Sequence, residues 1–477
     1  MSKSKGPSQE IRKNMMLSDP IPRVVIRMAL PSIISFIINS VYSLADTYFV
    51  SSLGKSATAA VSVNSSLDMF IMMAGSFLAI GANSYIARLL GARDEKKASQ
   101  VLSTSWFTAL LFGFIILGVG CGFRETLCRL LGATDTCLKY SVDYATYILL
   151  VAPLMATSFV MNQCLRAEGA ATLSMIGMGF GGILNCFLDP FFIMQEVRIG
   201  GMVLPGLGME VVGASLATAI SKVVSFCILL FPYITKKSVL RLSPRNIKFS
   251  RDIISQVTSV GSSAAFRTML SVVAGIVLNN IAGNISDACL AGIGVCTKVM
   301  MFPFGIIIGF GSGFQPVMGF NWGAKNYGRT KGCLRFAQIG SLAISTAMGV
   351  TLCLFAVPII KLFAGTDPEM IEIGALAIRL QAIALIAHGW VATVNWACAA
   401  LGYARGAVLL ATSRQGTFFL PIVWPISHFF GAAGVASVQA IADFLSVILA
   451  VPMLRHVKKM IRDAEKGAGL EAPAANQ

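Results

Sequence analysis

Two carboxylates, an amide and a hydroxyl lie inside long apolar stretches of this chain: Asp46, Asn185, Asp189 and Thr218. An ionisable group in hydrocarbon costs several kcal/mol, so each acid calls for a partner, a water-filled cavity or a function. At a rise of 1.5 Å per residue, Asp46 stands about 27 Å above the inner end of its helix, taken at position 28, and Asp189 about 26 Å above the inner end of its own, taken at 172. The two acids therefore share one level. Asn185 precedes Asp189 by one helical turn and points the same way, while Thr218 sits about 10 Å below the outer end of a third helix. Such an all-oxygen set suits a hard monovalent cation, and a carboxylate pair in low dielectric can instead hold a proton. The expected chemistry is reversible binding of Na⁺ or H⁺, with no catalytic residue and no cofactor.

Other buried charges are ranked below these. Asp68 lies near the midplane with Lys222 at a similar depth, and the two read first as a structural ion pair. Asp443 is expected to pair with Arg267 or Lys298, stabilising the second half of the chain, and Arg414 is near enough to the inner surface to snorkel. Lone His388 reads as a satisfied core histidine rather than a proton relay. The 11 cysteines are scattered without CxxC spacing or flanking histidines, so no metal site is expected beyond Na⁺ at the coupling residues, and Cys128 and Cys137 read as free thiols. GMGFGG at 177–182 fits the GxGxxG spacing but has no strand before it and is discarded as a dinucleotide site. Walker A, HExxH and GxSxG are absent, so the chain is not read as an enzyme.

The elements that position these groups follow from composition. With 477 residues, 55% hydrophobic, 13% charged and a mean hydropathy of +0.74, the chain carries more apolar side chain than a soluble fold can bury. Nine uncharged windows are each about one bilayer thick as helix, and three further spans with a charge inside or at the edge, near 211–235, 407–430 and 434–454, bring the expected number of transmembrane helices to twelve. Of the 38 Lys and Arg residues, 27 fall in alternate segments that become cytoplasmic if the N-terminus is inside, six in outer loops and five at membrane depth. The net charge of +16 thus reflects a positive-inside topology with both termini cytoplasmic, and it implies no nucleic acid. The first apolar run has no cleavage site after it and stays as a span.

Segment 236–254 is basic and polar and divides the chain near its midpoint. The expected organisation is a cytoplasmic segment 1–23, a first lobe of six spans at 24–235, the linker 236–254, a second lobe of six at 255–456, and a cytoplasmic tail 457–477 whose end, EKGAGLEAPAANQ, is expected to be disordered. GANSYIARLLGARDEKK (81–97) aligns with GFQPVMGFNWGAKNYGR (313–329), and Gly213, Ala219 and Ile220 align with Gly434, Ala440 and Ile441. Because six is even, both halves enter the membrane in the same direction, which makes an all-α fold with a parallel pseudo-two-fold repeat, a common transporter plan. In that alignment Asp46 faces Val277 or Leu278, Asn185 faces Gly416 and Asp189 faces Leu420, so the acids are not mirrored. Cation coupling is therefore expected in the first half alone. Prolines at 31, 153, 190, 303, 316, 421 and 425 are expected to bend their spans.

LADTYFVSSLG (44–54), GANSYIARLLGA (81–92), LRAEG (165–169), NCFLDPFFI (185–193), GASLATAIS (213–221) and GFQPVMGFNWGAKN (313–326) resemble the multidrug and toxic compound extrusion (MATE) family, bacterial multidrug branch, over nearly the whole chain. The resemblance implies two six-helix lobes around a central cleft and export of cationic amphipathic drugs or dyes in exchange for Na⁺ or H⁺. Carried over by motif, Asp46, Asn185, Asp189 and Thr218 look like the family's first-lobe cation site, and Pro31 resembles a proline linked there to bending of the first span. GSSAAFRTML (261–270) holds Arg267 where one group of the family has an acid, which argues against a second-lobe cation site. The expected protein is a monomer in the lipid bilayer of the inner or plasma membrane. The alternatives are a flippase of lipid-linked saccharides, which should show a cationic cleft, and a membrane enzyme or receptor.

Overall fold

The apolar windows form helices because a bilayer interior leaves no partner for backbone groups except their own chain. In the computed structural model, which describes residues 7–51, 53–199, 202–364 and 367–471, these are α1 (Pro7–Ser18), α2 (Ile21–Ser51), α3 (Lys55–Gly91), α4 (Glu95–Gly122), α5 (Arg124–Leu130), α6 (Leu138–Ala167), α7 (Ala171–Ile193), α8 (Glu210–Ile234), α9 (Arg251–Ile285), α10 (Asp287–Gly323), α11 (Tyr327–Ala364), α12 (Pro368–Leu401), α13 (Ala404–Thr412) and α14 (Leu420–Glu471). Eleven described helical runs are long and apolar enough to span a membrane, and the longest, Ala404–Ala468, holds two spans because Gly431 leaves helical geometry at φ 53°, ψ −133°. That makes twelve, and the chain is a multi-pass membrane protein. The break falls at Gly431 rather than at Pro425, and α2 runs helical through Pro31. The segment before α8 carries two antiparallel strands, Glu196–Ile199 against Met202–Pro205. Helix α14 continues through Glu471, and the rest of the expected disordered tail, 472–477, lies outside the described residues.

One compact unit comprises Met1–Lys13, Ile34–Ile86 and Glu95–Gly261. Ile71, Tyr144, Ile148, Leu149, Val211 and Ala214 share one apolar core, which fixes α3, α6 and α8 side by side. At the opposite ends of the helices the segment after α8 is stitched down by a hydroxyl row on α4: Arg241 N donates to Ser99 Oγ (3.1 Å), Ser243 N to Ser103 Oγ (3.2 Å) and Lys248 N to Thr104 Oγ1 (3.0 Å). Glu168, buried just beyond α6, accepts from Ser238 Oγ and Val239 N (both 2.8 Å) and pairs with Arg12 of α1 (3.5 Å).

The other unit comprises Asn14–Ile33, Ala87–Asp94 and Ser262–Gln477. Its core runs along α9, α10, α12 and α14 and includes Ala274, Met300, Ala377, Phe419 and Val423. Met16 is fully buried, its carbonyl accepting from Asn321 Nδ2 (3.1 Å), and Arg329 Nη2 donates to the Asp19 carbonyl (2.7 Å). Between α13 and α14 the chain forms a π-helical stretch, Ser413–Phe419.

The repeat is written in matching contacts. Gly81 of α3 lies against the backbone of Val257 in the first unit, and its counterpart Gly313 of α10 lies against Ala29 in the second, with no room for a β-carbon at either. Asn162 Nδ2 donates to the Ser174 carbonyl (3.1 Å), and Asn395 Nδ2 donates to the Ala407 carbonyl (2.7 Å) across the same interval of chain. Gly213 abuts Phe192 as Gly434 abuts Ile426. Arg93 and Lys325, aligned in the sequence, both turn with positive φ, 65° and 59°.

Candidate functional site

In the first unit, α2 delivers Asp46, α7 delivers Asn185 and Asp189, and α8 delivers Thr218. All four are buried; Asp46 is 8% exposed and Asp189 0%. Asn185 Nδ2 donates to Asp189 Oδ1 (3.0 Å), one turn along its own helix, and to Thr218 Oγ1 (3.2 Å) on α8. Asp46 and Asp189 are close enough for their charges to act on one another. The structure thus gathers the four residues picked out in the sequence. Tyr144 of α6, which carries no charge and gave no signal in the sequence, adds its phenol against Thr218 and within the field of Asp46.

The hydrogen bonds use the amide's donors and leave acceptors over. Asn185 Oδ1, Asp189 Oδ2 and Asp46 Oδ1 are buried and have no partner among the described residues. Buried polar atoms are nearly always paired, so three orphaned acceptor oxygens call for a proton donor or a cation. A hard cation fits, and so does a proton on either carboxylate.

Asp68 and Lys222 lie within each other's electrostatic reach, but they do not form the expected contact pair. The Lys222 ammonium instead sits over the Tyr42 ring, 5.2 Å from its centroid, and Asp68 Oδ1 has no partner among the described residues. Below the acids is a cavity whose lining includes Asn185, Thr218, Tyr42, Lys222, Arg166, Phe36, Phe159 and three methionines, Met72, Met155 and Met178. Its wall contains no carboxylate; the two charged residues that line it are Arg166 and Lys222.

The second unit corrects both the ion pairing and the register. Arg414, expected to snorkel, donates from Nε to Asp443 Oδ1 (2.6 Å), and His388 Nδ1 stands 3.8 Å from the same oxygen. Arg267 turns away to the Trp396 ring, 5.7 Å from its centroid. Val257 and Gly261 of α9 make the contacts that Ala29 and Ile33 of α2 make; carrying that register up both helices puts Ala274 opposite Asp46, rather than Val277 or Leu278. The matched Phe192 and Ile426 contacts likewise put Val423 opposite Asp189 and Phe419 opposite Asn185, rather than Leu420 and Gly416. One residue of the slip has a physical source in the π-helical stretch, across which the offset between the halves grows from 233 at Ser174 and Ala407 to 234 at Phe192 and Ile426. Ala274, Phe419 and Val423 all belong to the apolar core of the second unit. Where the first unit holds Asp46, Asn185 and Asp189, the second holds an alanine, a phenylalanine and a valine.

Twelve spans, a repeat and a buried oxygen cluster in one unit define a polytopic helical membrane protein with a candidate cation site. The chain belongs to the MatE family, which it matches over residues 31–191 and 263–414. It is 28% identical to the multidrug export protein MepA of Staphylococcus haemolyticus strain JCSC1435 over 431 residues, covering 90% of this chain and 92% of that one, and 28% identical to MepA of Staphylococcus aureus strain MSSA476 over 440 residues, covering 91% and 93%. Its fold matches an outward-facing structure of a multidrug resistance MATE family transporter of the MOP superfamily with a TM-score of 0.86 at 24% identity, covering 97% of this chain and 100% of that one. These relatives are transporters and not enzymes.

Proposed function

We propose that the chain is a secondary active multidrug efflux antiporter, exporting cationic amphipathic compounds in exchange for Na⁺ or H⁺ bound at Asp46, Asn185, Asp189 and Thr218. The observation that carries this reading is the Asn185 amide, which spends both donors on Asp189 and Thr218 and leaves three buried oxygens without a donor. Because Asn185 and Thr218 also line the cavity, a cation taken up at the acids reshapes the wall against which a drug would lie. Ion and drug binding are then linked, and each lowers the affinity of the other by the same factor. The topology that goes with this has both termini cytoplasmic, and the working unit is a monomer in the bilayer.

The test is equilibrium binding of ethidium to the purified protein in detergent, followed by fluorescence anisotropy. Ethidium affinity should fall at least tenfold when either Na⁺ or H⁺ is raised, and Asp46→Asn should abolish that sensitivity. Affinity indifferent to both ions would refute the coupling site. A second reading, a flippase of lipid-linked saccharides, draws support from one observation, the two cationic side chains on the cavity wall. It predicts tight binding of a polyprenyl diphosphate and none of ethidium.

A further inference from the structure

Arg166 poses a problem of charge that the cation site does not solve. It is 2% exposed, near the inner end of α6, and its Nε donates to Ser174 Oγ (2.9 Å), yet Nη1 has no partner among the described residues. No described carboxylate stands within ion-pair distance: Glu168, two residues on, pairs instead with Arg12. A buried, uncompensated guanidinium is costly. The repeat does not demand it, since Arg166 follows Asn162 by four residues as Ala399 follows Asn395, and the second unit folds with an alanine there. Arg166 does line the cavity, where the neighbouring amides of Asn162 and Gln163 and the ammonium of Lys222 also converge on the same space. Lys222 shares its charge with Asp68 and Asp46, whereas Arg166 has no such counterpart.

We propose that Arg166, with Lys222 higher on the same wall, binds the anionic group of an amphipathic ligand whose apolar body lies along Phe36, Phe159 and the methionines. The ligand class is then wider than cations: amphiphiles bearing a carboxylate or a phosphate, zwitterions included, fit the same cavity. The planar guanidinium is suited to either group, because its forked donors match two oxygens of one anion. This inference rests on the reading of the cavity as the substrate site of an exporter, and it commits to a free amphiphile rather than a membrane lipid as the source of the anion.

The experiment measures binding of 11-(dansylamino)undecanoic acid and of its methyl ester to the purified full-length protein by dansyl fluorescence. The acid should bind at least tenfold more tightly than the ester. In Arg166→Gln that ratio should collapse towards one, and Arg166→Lys, which keeps the charge and loses the fork, should retain part of it. Because the readout is a ratio within one protein, reduced folding yield of a variant does not mimic the result. Equal binding of acid and ester by the wild type, or an unchanged ratio in Arg166→Gln, would overturn the proposal. Repeating the titration in nanodiscs of phosphatidylcholine with and without phosphatidylglycerol separates the two sources of anion. Any loss of acid affinity in the anionic discs should be the same in the wild type and in Arg166→Gln, since it reflects surface repulsion alone; a tenfold loss confined to the wild type would assign Arg166 to an anionic lipid headgroup and overturn the choice of a free amphiphile. Transport is not needed for any of these measurements, so failure of ethidium coupling would sink the antiport reading and leave this result to stand or fall separately.

Discussion

Asn185 does two jobs with one amide, and its removal separates them. In Asn185→Ala the Asp189 carboxylate and the Thr218 hydroxyl lose their shared donor, which should cost about 1–3 kcal/mol, the penalty for stranding a buried acceptor. A thermal-unfolding assay in detergent should show the loss, and Na⁺ or H⁺ should no longer weaken ethidium binding. Glu168 lies outside the spans and tests the linker clasp by pH. Burial pushes its carboxyl up, opposed by the Ser238 hydroxyl, Arg12 and the linker amides, and the net shift is upward. The folded state therefore holds the proton more tightly than the unfolded state, so this contribution to stability is present below the ordinary glutamate range and is lost as pH rises through the raised value. Glu168→Gln keeps the acceptor and removes the titration. Its unfolding temperature should vary less than that of the wild type across that window, and equal slopes would show that Glu168 does not set the dependence. The acids were legible in the sequence because a carboxylate in an apolar run is conspicuous; Tyr144 and Arg166 were not, since a tyrosine is unremarkable there and Arg166 sits close enough to a helix end to pass as a cytoplasmic charge.

At the scale of elements, the π-helical stretch at 413–419 accounts for one of the three residues by which the contacts shift the pairing of the halves around the candidate site. Sequence identity can pair Pro190 with Pro421, but only contacts reveal that an inserted residue moved the helix face. The same stretch carries Arg414 to Asp443. Arg414→Leu should cost about 3–5 kcal/mol by leaving a buried carboxylate unpaired, and adding Asp443→Leu should recover most of it, since a buried pair is worth little net against hydrocarbon. Thermal unfolding of the two single variants and the double variant checks this; additive losses would contradict it. The linker offers a parallel test on α4. Ser99→Ala with Ser103→Ala removes two hydroxyls that hold residues 241–243, and trypsin should then cut between Arg241 and Lys248 several times faster, while an unchanged rate would mean the clasp at Glu168 suffices alone.

Over the whole molecule, hydropathy and charge placement revealed twelve spans because length and polarity are properties of each segment by itself. The paired strands 196–199 and 202–205 and the buried methionines of α1 were hidden, for both depend on what the rest of the fold presents to a short polar stretch. The asymmetry between the units was foreseen in kind, an acid set in one half and none in the other, and the structure supplies its form: Ala274, Phe419 and Val423 close in the second unit the space that Asp46, Asn185 and Asp189 frame in the first. A machine built this way should couple to its ion through one unit only. The most direct measurement is export of ethidium from inverted or right-side-out vesicles under separately imposed Na⁺ and H⁺ gradients, comparing the wild type with Asp189→Asn. Wild-type export should follow one of the two gradients, and the Asp189→Asn protein should lose that dependence. Export that ignores both gradients, or an Asp189→Asn protein that exports as well as the wild type, would contradict the account.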